Sequence, residues 1–146
     1  MPSVFLPIRV DPMKKFEFLE HPADIKIRSY GKDLPELFIN SALGMMTFLY
    51  ENVNSIQTTQ EETIEVEAED LESLLVNWLS ELLCDSDTHH RCFIKFKILF
   101  FSNTKLIAKA EVGNAIAQDD IKAVTYHDLK IIKEDNGWNA TVIYDI

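Results

Sequence analysis

Residues 92–112 read CFIKFKILFFSNTKLIAKAEV, and the fold class turns on how this stretch is read. From Cys92 to Ser102 the chain is apolar on both faces except at Lys95 and Lys97, which predicts a central strand. Asn103-Thr104 predicts a turn. Leu106, Ala108, Ala110 and Val112 then alternate with Lys105, Lys109 and Glu111, the period of a half-buried strand. Two strands joined by so short a turn pair antiparallel, because a parallel pair needs a long crossover.

The same reading extends in both directions. Downstream, Gly113 to Asp120 is a loop, and Ile121 to Lys133 is a long strand with room for a bulge. Asp135-Asn136-Gly137 signals a hairpin of the Asn-Gly type. Trp138, Ala140, Val142 and Tyr144 alternate with polar and aliphatic residues to the end.

Upstream, Asp70 caps a helix whose Leu71, Leu74, Leu75, Trp78, Leu79, Leu82 and Leu83 form a wide apolar stripe. It reads as the most buried element and fades at Cys84–Asp87. Before it, Ile64, Val66 and Ala68 alternate with Glu65, Glu67 and Glu69, a strand with an acidic outer face. Asp33, with Glu36 as capping-box partner, opens another helix from Leu34 to Tyr50. Phe16–Leu19 and Ile25–Tyr30 are short strands around a turn at His21-Pro22-Ala23-Asp24, the second broken by Gly31. Two helices and about seven strands make an α+β domain, a mainly antiparallel sheet with two helices packed on it.

Composition bounds the function. The 146 residues are enough for one domain. Residues 1–12 read as an extension, disordered or non-native, and residues 13–146 as the domain. The opening has no basic region before its short apolar run, so no secretory signal is read, and two cysteines cannot build a disulfide framework. The expected compartment is the cytoplasm, or the nucleus in a eukaryote, and no membrane span is expected. The net charge is −10, opposite in sign to a generic nucleic-acid binder, so any RNA role is expected to be indirect or confined to a local patch. From Glu51 to His90 there are eleven acidic residues and no Lys or Arg. That block is either a solvated face or a surface for a basic partner.

Few residues offer chemistry. Asp24 sits in a turn, Asp145 is next to last in the sequence, and Ile146 adds a carboxylate if the chain ends there. If the first and last strands are neighbours, these hard oxygens converge on a site for Ca²⁺, Mg²⁺ or Mn²⁺; otherwise they are a turn aspartate and a solvated end. Lys122 and His127 are polar positions in an apolar segment, and His127 is either a metal ligand or a hydrogen-bonded sheet histidine. Cys84, His89, His90 and Cys92 lack zinc-site spacing. Phosphate-loop, dinucleotide, nucleophile-elbow and zinc-protease motifs are missing, which disfavours independent catalysis.

Four blocks taken together resemble the archease family. FEFLEHPADI at 16–25 is similar to its F/Y-E-F-L-D-H-T-A-D opening, with Pro22 in place of Thr. DLESLLVNWLSELL at 70–83 resembles its leucine-rich helix, KAVTYH at 122–127 its motif of the same letters, and the run from Trp138 to Asp145-Ile146 its W-x-A-x-V-x-x-D-I ending. The resemblance implies an archease-like α+β module and a non-catalytic protein cofactor of an RtcB-type RNA ligase in tRNA splicing and RNA repair, promoting guanylylation and multiple turnover. It implies a divalent-metal site, calcium among the candidates, at Asp24, Asp145 and Ile146. Lys122 is then a candidate phosphate or ligase contact, with His21 and His127 as lesser candidates. Two competing readings are a chaperone for tRNA-modifying enzymes such as a methyltransferase, using the acidic block, and a metal-dependent phosphohydrolase.

Overall fold

In the computed structural model, which describes residues 14–19 and 23–146, local signals place both helices. Leu34–Leu49 forms α1, and Asp33 Oδ1 accepts the Glu36 N–H at 2.9 Å. The Glu36 carboxylate reaches back to the Lys32 N–H at 2.8 Å, one residue before the capping-box position. Leu71–His89 forms α2, capped where Asp70 Oδ1 accepts the Ser73 N–H at 2.8 Å. This hydrogen bond to the carboxylate holds the Asp70 carboxyl below its usual range. The helix does not fade at Cys84. It continues to His89 because Ser86 is buried against the Met46 sulfur and Asp85 forks onto Arg91. Nor is α2 the most buried element: α1 buries nine of sixteen residues and α2 seven of nineteen.

Two antiparallel sheets surround these helices. The first contains β1 (Phe16–Leu19), β2 (Ile25–Gly31), β6 (Ala123–Val124), β7 (Ile131–Glu134) and β8 (Gly137–Asp145). Its order is β1-β2-β8, with β6 and β7 both on the far side of β8. The second has the order β3 (Gln60–Glu67), β5 (Lys105–Asn114), β4 (Arg91–Phe101). A single 3-10 turn, Val53–Ser55, interrupts the loop after α1. The expectation that residues 92–102 form a central strand is corrected: β4 is an edge, and β5 takes the centre. One face of β4 is apolar because it meets the helices. Phe101 packs edge-on to Phe38 at 5.0 Å between centroids, and Phe96 packs against Trp78 at 5.4 Å. Bulges near Ile94 and Leu99, with Lys95 and Lys97, break up the free edge.

α1 lies on β2 and also touches β4, β8 and α2, so one core joins both sheets. The Trp78 indole N–H donates to the Phe38 carbonyl at 2.9 Å and fixes the helix pair. The two-residue turn between β7 and β8 is Asp135-Asn136, one position earlier than the Asn-Gly signal. Gly137 opens β8 at φ 146°, where a Cβ would lie 2.3 Å from the Gly31 carbonyl oxygen. Only glycine takes that conformation and that approach.

Candidate functional site

The predicted site residues depend on whether the two ends of the sequence meet, and strand register bears on this. β2 pairs with β8 from Gly31↔Trp138 to Ile25↔Tyr144. Asp24 immediately precedes Ile25 and Asp145 immediately follows Tyr144, so the two stand at the same end of this strand pair. β6 closes the other flank: Ala123 pairs with Asp145, and the Lys122 N–H donates to the Asp145 carbonyl at 2.7 Å. Asp24, Lys122 and Asp145 therefore stand at one corner of the first sheet, with Ile146 next in the chain. Asp24 is half-buried, while Lys122, Asp145 and Ile146 are exposed. Tyr144 and Ile143, the two residues before Asp145 in β8, are both buried, and desolvation pushes the Tyr144 phenol upward in pKa.

The donor chemistry at this corner fits a hard divalent cation. Two carboxylates can be supplied by Asp24 and Asp145, and a third by Ile146 where it is the terminal residue. Among the described residues no cluster of three or more His, Cys, Asp or Glu side chains is arranged to hold a metal. Two concave regions among the described residues lie elsewhere, one between β3 and α2 around Glu67 and Glu81, another beside Thr47 and Asn52 after α1.

The long strand expected from Ile121 to Lys133 is broken in a specific way. Thr125 donates its N–H to the Ile143 carbonyl, and Ile131 pairs with Ala140. Five residues, 126–130, thus stand opposite only two, Thr141 and Val142. The extra length is thrown outward as a turn, closed by the Leu129 N–H on the Tyr126 carbonyl at 3.0 Å and by Asp128 at φ 52°. Aspartate tolerates this left-handed conformation. Thr125 Oγ1 donates to the Ile143 carbonyl at 2.8 Å and accepts the His127 N–H at 3.2 Å. His127 does not lie in the sheet. It is exposed, with Nε2 3.4 Å from the Asp128 carboxylate. Thr125 and Tyr126 were not picked out from the sequence as site residues; the available signal was a threonine three residues before an aspartate able to turn the chain.

Residues 1–13 and 20–22 fall outside the described residues, so the extension at 1–12 and His21 are not placed. Cys84 is exposed on α2, whereas Cys92 is buried in β4 with its thiol pushed up to about 12 by desolvation. The acidic block is less uniform than its composition suggests. Glu65 and Glu67 pair with Lys105, Glu61 with Lys109, and Glu62 with Arg91. Among the described residues no helix is long and apolar enough to cross a membrane.

Comparison with known proteins places this geometry. The family model described as the archease protein family matches residues 16–146. The protein archease of Pyrococcus abyssi is 40% identical over 144 residues, covering 92% of this chain and all of that protein. That of Thermococcus kodakarensis is 41% identical over 143 residues, with the same coverage. The solution structure of Methanobacterium thermoautotrophicum protein 1598 superposes with a TM-score of 0.76 at 35% identity, over 92% of this chain and 100% of that one. The crystal structure of a Thermotoga maritima archease, described as a possible chaperone, superposes at 0.66 and 18% identity, over 94% and 98%. The last likeness concerns the fold alone.

Proposed function

This chain belongs to the archease family, and from that premise we propose that it is a non-catalytic protein cofactor of an RtcB-type RNA ligase. It promotes guanylylation and multiple turnover of the ligase in tRNA splicing and RNA repair, in the cytoplasm or, in a eukaryote, the nucleus. The observation that supports this reading is the register that carries Asp24 and Asp145 to one exposed sheet corner beside Lys122. Asp24, Asp145 and a terminal carboxylate at Ile146 would hold a Ca²⁺, Mg²⁺ or Mn²⁺ ion, which supplies positive charge at the tip. The residues themselves do the positioning. The β2–β8–β6 ladder holds Asp145 and ends next to Asp24, and Lys122 offers an ammonium to a phosphate or to the ligase. A partner's equilibrium shifts only through differential affinity for its two states. A hundredfold activation needs about 2.7 kcal/mol, within reach of one or two charge-assisted contacts.

The test is a guanylylation assay on a purified RtcB-type ligase with and without the protein. Asp24→Ala and Asp145→Ala are expected to abolish stimulation while circular dichroism stays unchanged. Full stimulation by either folded variant would overturn the proposal. The chaperone reading, which uses the acidic block, is weakened by the lysines that already pair with β3.

A further inference from the structure

The geometry points to Tyr126 as an aromatic anchor by which the acidic corner grips a protein partner. The inference rests on the proposed ligase-activating role and assigns a second element of the same surface. Tyr126 leads the 126–130 excursion, directly after Thr125, which stands opposite Ile143. Asp145 is two residues further along β8, about 7 Å away at the rise of a strand. The ring is 56% exposed, although the segment that carries it is tightly held.

Three restraints hold it. Thr125 Oγ1 bonds on both sides of the bend, the Leu129 N–H closes the turn, and Leu129 packs on the core. Among the described residues the Tyr126 hydroxyl makes no hydrogen bond. An exposed tyrosine on a pre-ordered turn loses little entropy when it is buried by a partner, and tyrosine is enriched among residues that dominate interface energy. Ile146, 46% exposed, adds a second apolar group beside the same corner.

The flanking charge specifies the partner. Asp128 and Asp145 are exposed near Tyr126, Lys122 and Lys130 are exposed on the same segment, and the chain as a whole carries a net −10. A polyanionic nucleic acid is disfavoured there. The matching surface is a protein socket for one aromatic ring, rimmed by Lys or Arg.

The experiment titrates this protein into a purified RtcB-type ligase and reads guanylylation rate against concentration. Tyr126→Ala is expected to raise the half-maximal concentration ten- to hundredfold while leaving the plateau intact. Tyr126→Phe should behave as the parent, and Thr125→Ala, which frees the turn, should fall between. Asp145→Ala should lose the plateau itself. An unchanged half-maximal concentration for Tyr126→Ala, with the Asp145→Ala plateau lost, overturns the anchor and leaves the ligase reading standing. If Asp145→Ala also stimulates fully, both fail. If a labelled single-stranded RNA binds the parent and loses affinity in Tyr126→Ala while the ligase response is unchanged, the ring serves nucleic acid and the protein-anchor inference is overturned.

Discussion

Replacing Asp145 by Asn tests the carboxylate corner without any partner. The side chain keeps its size and loses its charge. In the absence of a cation, carboxylates gathered at one end of a strand pair repel, by up to about 1 kcal/mol at a few Å in water. In a chain of this length 1 kcal/mol moves the melting temperature by about 3 °C. Asp145→Asn should therefore melt about 1–3 °C higher than the parent in EDTA. A divalent cation at a hundred times its dissociation constant stabilises the parent by about 2.7 kcal/mol, or about 8 °C. If losing one carboxylate weakens binding a hundredfold, the same concentration gives the variant only about 0.4 kcal/mol, or about 1 °C. The assay is thermal unfolding in EDTA and then with Ca²⁺, Mg²⁺ or Mn²⁺, on the parent and on Asp145→Asn. A sign reversal is expected: the variant is more stable without the cation and less stable with it. Equal cation-dependent shifts in the two proteins would refute the corner as a cation site.

Three further outcomes follow from the packing. Asp85→Ala removes the forked partner of Arg91, whose side chain is only 12% exposed, and should cost about 2–3 kcal/mol in urea unfolding; a change below 0.5 kcal/mol, roughly the level of an ordinary surface substitution, would deny the clamp. Charge reversal at Glu65 and Glu67 breaks ion pairs between half-exposed side chains and should cost about 1 kcal/mol or less, with ligase stimulation unchanged; lost stimulation would return the function to the acidic block. Iodoacetamide at pH 8 should label Cys84 alone in the native protein and both cysteines in denaturant. Burial pushes Cys92 to about 12, leaving roughly one thiol in ten thousand ionised, and also blocks access.

Local chemistry made much of the fold legible. Asp33 and Asp70 announced their helices because a carboxylate satisfies N–H groups that a helix start leaves open. The alternations at Ile64–Ala68 and Leu106–Val112 are paired strands, since a sheet with one face in the core imposes a period of two. The family was also legible, because its four motifs lie in order along one chain.

Sequence alone left long-range neighbourhood open. Apolar residues on both faces cannot tell a central strand from an edge strand that carries bulges and packs on helices, so β4 was misplaced. The break at Thr125 depends on the Ile143 carbonyl, eighteen residues away in sequence. Asp24 and Asp145 are 121 positions apart, and only the β2–β8 pairing brings them to the same end of one sheet. Caps, periods and motifs are local energies written in adjacent residues. Which strand lies beside which is decided by how the whole core packs, and that packing turns two ordinary aspartates into a candidate site.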